Sequence, residues 1–157
     1  MNLIRFKTGV VMGRQVDMVV VHCSDSAWGN AAVINEWHLE RGWSGIGYHM
    51  VILNGHPTSR GEYDPSLDGI VELGRDIEVK GAHCKGFNSR SIGVCLIGKE
   101  TFTENQMETL TQVLLEILQH YGLDADAVYG HNELDDHKTC PNQEVAEIRD
   151  RLWNLMS

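Results

Sequence analysis

Asp17-Met18-Val19-Val20-Val21-His22-Cys23-Ser24 is an unbroken apolar run closed at both ends by polar residues, and its reading decides the fold. A strand with one face in water alternates apolar and polar side chains. A run without alternation predicts a strand covered on both faces, as in the middle of a largely parallel sheet. His22 stands at the C-terminal edge of this run. Strand side chains alternate, so His22 and Cys23 point to opposite faces and only one of them joins a site on a given side of the sheet. Taken alone, His22 reads as a hydrogen-bonded core histidine.

Working outward, Ser91-Ile92-Gly93-Val94-Cys95-Leu96-Ile97-Gly98 is a second run of the same kind, with Cys95 a small apolar core residue. Gly47 to Leu53 predicts a strand with Tyr48 at its start, where a tyrosine is commonly structural. Ile70 to Leu73 predicts a short strand, and Ala125 to Tyr129 the last one. Asn30 to Arg41 reads as an amphipathic helix stopped by Gly42, with Val33, Ile34, Trp37 and Arg41 along one face and His38 in the packing. Thr103-Glu104-Asn105-Gln106 is a capping box. It opens a helix whose Met107, Leu110, Leu114, Ile117 and Tyr121 recur at helical spacing until Gly122. Val145, Ile148, Leu152 and Leu155 mark a closing helix. Without repeat or linker, this interleaving predicts a single α/β domain, a central mixed, mostly parallel sheet with helices on its faces. Residues 1–15 are set apart as an N-terminal extension, an extra strand or an ordered tail, and the domain proper is assigned to 16–157. Asn54 to Asp68 is rich in Gly, Pro, Asn and Asp, and reads as a solvated insertion or the wall of a groove.

At 157 residues, 42% hydrophobic and 22% charged, the chain fits one soluble domain large enough for a real core. The formal net charge of −9 argues against nucleic acid as a partner, because phosphate binding needs clustered Lys and Arg. No run reaches membrane-spanning length, and Lys7, Gly13 and Arg14 interrupt the N-terminus before a signal-peptide core forms. The expectation is a protein made in the cytoplasm, without a membrane anchor. The four cysteines form no C-x-x-C pair and read as reduced thiols.

The densest chemistry lies in Gly130-His131-Asn132-Glu133-Leu134-Asp135-Asp136-His137-Lys138-Thr139-Cys140-Pro141, which gathers two imidazoles, a lysine and a thiol into one polar loop. His131 follows Val128-Tyr129 and belongs at a strand end. His137-x-x-Cys140 is a rival chelating pair with little loop-closure cost. His83, in the glycine-flanked stretch Gly81 to Asn88, is a candidate substrate contact, against the plainer reading of a surface histidine.

Val21-His22-Cys23-Ser24, Trp37-His38-x-x-Arg41-Gly42-Trp43, Gly47-Tyr48-His49, Gly74-Arg75-Asp76, Ser91-Ile92-Gly93-Val94, and His131 with Lys138-Thr139-Cys140-Pro141 follow one another in that order. The ordered set resembles the zinc N-acetylmuramoyl-L-alanine amidases of the phage lysozyme and peptidoglycan-recognition-protein type, from about Val16 to Trp153. The resemblance implies an amidase domain with one zinc ion per chain held by His22, His131 and Cys140, with Tyr48 and Lys138 catalytic. It implies bacterial peptidoglycan as the partner, cut between muramic acid and L-alanine by a monomeric, endolysin-like enzyme that acts on the cell wall after release. Two imidazoles and a thiolate leave a tetrahedral ion one open position, as hydrolysis requires. The Asn54 to Asp68 excursion is longer than the turn in close relatives, and the loop from His131 to Cys140 carries one extra residue.

Other readings predict other behaviour. A cell-wall recycling amidase resembles having Asp where this chain has Cys140. A peptidoglycan-binding module binds without cutting. A Cys-His thiol hydrolase built on Cys140 and His131 ignores chelators. Some relatives also restrain a phage RNA polymerase, so such a polymerase is a further partner the resemblance suggests.

Overall fold

The structure, a computed structural model, describes residues 3, 4, 6 and 14–157. The Asp17 to Ser24 run forms β1 (Met18–Cys23), with all six residues buried. β2 (Met50–Asn54), β3 (Asp68–Leu73), β4 (Ser91–Leu96) and β5 (Val128–Gly130) complete a five-stranded sheet in the order β3-β2-β4-β1-β5. β1 pairs in parallel with β4 and β5, and β2 in parallel with β4, while β3 runs antiparallel at the edge. This is the mixed, mostly parallel sheet expected from the unalternating runs.

Within those apolar runs the faces still alternate. Val19, Val21, Met50, Ile52, Ile92, Val94 and Leu96 pack on one side, under α2 (Glu104–Tyr121) and α4 (Val145–Met156). Val51, Leu53, Cys95 and Ile97 face the other side, toward Ile34 of α1 (Ala31–Glu40). Leu110, Leu114, Ile117 and Leu118 of α2 are fully buried, each contributing roughly 1.5–3 kcal/mol by burial. The helix opens with its capping box: the Thr103 side chain accepts from Gln106 N–H, and the Gln106 side chain accepts from Thr103 N–H. The same buried Gln106 donates through Nε2 to the carbonyls of Ile52 (3.1 Å) and Ile97 (2.8 Å), tying the helix start to the ends of β2 and β4.

Two expectations shift. β2 begins at Met50, not Gly47, because the Gly47 carbonyl is taken by Ala82 N–H in a loop, and bonding to β4 opens only where His49 N–H donates to Gly93 O. The last strand is shorter than Ala125 to Tyr129, since Ala125–Ala127 winds into a 3₁₀ turn capped by Asp124. Most of the 1–15 extension lies outside the described residues. Arg14, assigned to that extension, donates to the carbonyls of Ile77 and Ser91 (2.9 and 2.8 Å) and so ties the loop at Ile77 to the start of β4. Among the described residues all four cysteines are free thiols.

Candidate metal centre

The parallel pairing of β1 with β5 is what assembles the site. Val21 lies opposite Gly130, so the next residue along each segment, His22 on β1 and His131 just past the end of β5, emerges at the same edge. Their rings meet with centroids 4.5 Å apart. His131 is the first residue of the short helix α3 (His131–Leu134). Glu133 fixes that turn by accepting from Gly130 N–H (2.8 Å) while holding Arg149 of α4 in a two-pronged ion pair. The loop beyond α3 closes on itself where Asn132 N–H donates to Cys140 O at 2.8 Å. Cys140 Sγ then accepts from Cys23 N–H at 2.9 Å. The outcome is one donor atom each from His22, His131 and Cys140, all within 4.8 Å of one another.

Around the donors stand the other residues singled out by sequence. Tyr48 packs its ring on His22, at a centroid distance of 5.0 Å, and on His38 at 5.5 Å. Lys138 is exposed on the loop, close enough for its charge to bear on His131. His137 is exposed too, its N–H donating to Asp135 Oδ1, and it lies outside the donor cluster.

His83 departs from the reading of a surface histidine, since it is only 8% exposed. Its Nδ1 meets His22 Nε2 at 2.8 Å and its Nε2 meets Ser91 Oγ at 3.2 Å. The ring occupies a slot that exists because Gly81 and Gly93 carry no side chain, as a Cβ at either would overlap the imidazole. Asn88 Oδ1 holds the loop by accepting from the N–H groups of His83 and Cys84. Sequence reasoning also passed over Glu133, Arg149 and Ser91. A Glu three residues after Gly130 was the legible trace of the first; Arg149 acts through Glu133 on another helix, and Ser91 through the loop that carries His83 and Phe87.

The electrostatics suit metal binding. Burial, then the neighbouring His83 and His131, hold His22 well below the ordinary imidazole range. Burial and the Lys138 charge lower His131 as well. Both rings are therefore neutral near pH 7, as ligands must be. The Cys140 thiol is pushed up by its hydrogen bond with Cys23 and by burial, so a cation arriving there displaces a proton. Burial, then the thiols of Cys95, Cys140 and Cys23, raises Tyr48, which stands as a neutral phenol able to donate.

Comparison with known proteins gives a consistent picture. The family model described as N-acetylmuramoyl-L-alanine amidase matches residues 12–143. The chain is 36% identical over 137 residues to an endolysin of Escherichia phage T7, covering 80% of each chain. An endolysin of Klebsiella phage KP32 is 34% identical over 140 residues, covering 82% of each. Among solved structures, the N-acetylmuramoyl-L-alanine amidase LysC from Clostridium intestinale URNW superposes with a TM-score of 0.75 at 26% identity, over 95% of this chain and 94% of that one.

Proposed function

Because this chain belongs to the N-acetylmuramoyl-L-alanine amidase family, we propose that it is an endolysin-like hydrolase of bacterial peptidoglycan that cuts between N-acetylmuramic acid and L-alanine with one zinc ion held by His22, His131 and Cys140. The observation that carries this reading is the convergence of those three donor atoms at one edge of the sheet. A tetrahedral ion with bonds of roughly 2.0–2.3 Å needs donors about 3.3–3.7 Å apart. Three donors within 4.8 Å reach that spacing by small side-chain adjustments. Two neutral imidazoles and a thiol are a donor set zinc favours, and with only three protein ligands one position is left for chemistry.

When bound, zinc supplies a Lewis acid for the amide carbonyl and makes water a competent nucleophile near neutrality. The chain's own groups do the rest. Tyr48, kept protonated by burial, donates toward the carbonyl oxygen as negative charge gathers there. The Lys138 ammonium, on the same loop as two of the three ligands, adds positive charge to that side. β1 fixes His22 and the Asn132–Cys140 closure fixes the other two, so the arrangement is preorganised before substrate arrives. Among the described residues no helix is long and apolar enough to cross a membrane, which suits an enzyme that meets the cell wall from solution.

The test is digestion of purified sacculi. The reading predicts new L-alanine amino termini without new reducing sugars, lost on chelation and restored by zinc. Digestion indifferent to chelators would instead favour a thiol hydrolase using Cys140 and His131, and sacculus binding without any cleavage would favour a binding module.

A further inference from the structure

Resting on the zinc reading above, we infer that His83 and Ser91 are positioning residues that fix which nitrogen of His22 is offered to the metal. One buried chain of hydrogen bonds, from Phe87 through Ser91 and His83 to His22, has a fixed number of protons. The Ser91 hydroxyl has a single proton, and it goes to the Phe87 carbonyl at 2.8 Å, an oxygen that can only accept. Ser91 Oγ must therefore accept from His83, whose Nε2 lies 3.2 Å away and carries the ring's proton. In a neutral imidazole that leaves His83 Nδ1 bare. His22 Nε2, 2.8 Å from that bare nitrogen, has to be the donor. By elimination, Nδ1 of His22 holds the free lone pair.

Four groups thus run from a backbone carbonyl to a metal donor, each choosing the protonation of the next. Ligating histidines commonly give their second N–H to a carboxylate, a carbonyl or water, and that partner sets tautomer and basicity. Here an imidazole takes that place, held in the slot between Gly81 and Gly93, with His22 only 1% exposed and no water-facing alternative. Without the acceptor, His22 would be free to carry its proton on Nδ1 and would have to give it up before binding.

The direct test is long-range proton–nitrogen correlation NMR on the zinc-free full-length protein with nitrogen-15 histidine. His22 is expected to be protonated at Nε2 and bare at Nδ1; a His22 protonated at Nδ1 overturns the inference. In parallel, zinc affinity is measured by competition with a chromophoric chelator for His83→Leu and Ser91→Ala. Losses of about 10–100-fold are expected for His83→Leu, with a smaller loss for Ser91→Ala. Unchanged affinity in folded His83→Leu contradicts the inference, and should that variant fail to fold, the spectrum of the unsubstituted protein still decides. If the unsubstituted protein takes up zinc and digests sacculi while His22 has the wrong tautomer, the relay fails alone. If it neither binds zinc nor digests, the zinc reading fails, whatever the tautomer.

Discussion

Tyr48 is where a single side chain can separate the proposed roles. Its phenol is raised by burial and by three neighbouring thiols, and in the proposed mechanism its part is to donate toward developing charge, not to draw a proton from water. Tyr48→Phe keeps the ring against His22 and His38 and removes only the hydroxyl. We expect kcat on soluble muropeptide to fall by about 10²–10³ with KM nearly constant, the signature of an interaction strengthened in the transition state. A variant with raised KM and unaltered kcat would place the hydroxyl in substrate binding instead. Cys23, one residue from His22 on β1, reaches the site twice: its backbone N–H donates to Cys140 Sγ, and its thiol, hydrogen-bonded to Cys140, pushes that thiol up.

The elements were legible where their signal is local. β1 and β4 came from apolar runs, and α2 from a capping box, a hydrophobic stripe and a left-handed Gly122 at its end. Thr103→Ala removes one half of that cap, and a loss of about 1 kcal/mol is expected in urea unfolding; a loss well under 0.5 kcal/mol would mean that the Gln106 bonds to Ile52 and Ile97 hold the helix start unaided. The start of β2 was misplaced because a non-local loop bond, from Ala82 N–H to the Gly47 carbonyl, holds the residues ahead of the ladder. The burial of His83 went unread for the same reason. Its slot is made by two glycines on different segments, and nothing in either segment alone says that an imidazole lies between them. The polar loop drew attention as a loop, yet His22 by itself read as a core histidine. Bringing the two ends of the site together takes a contact such as that between Cys23 and Cys140, 117 residues apart, which only the ordered motifs of a family resemblance anticipated.

At the scale of the whole molecule, buried neutral histidines tie loops to sheet. His49 accepts from Gly93 N–H at Nδ1 and donates from Nε2 to Val79 O, while His38 Nδ1 accepts from Gly47 N–H. Both are lowered to about 4, His49 chiefly by burial, His38 by burial and then by Arg41 and Arg75. Below pH ~6.5 the unfolded chain takes up protons that the folded chain refuses. Their contribution is therefore whole above that pH and is lost as pH falls toward 4. Between those limits His49 alone predicts a decline of about 1.4 kcal/mol per pH unit, with His38 adding in the same direction. Urea unfolding across that window checks this, and a flat profile would contradict neutral burial of both rings. The central claim, that β1, β5 and the loop after α3 converge on one ion, is tested most directly by zinc-edge X-ray absorption on the purified protein. The account predicts one zinc per chain with a single sulfur at about 2.3 Å and nitrogen or oxygen neighbours at about 2.0–2.1 Å, the sulfur vanishing in Cys140→Ala; a shell without sulfur, or with two, would contradict it.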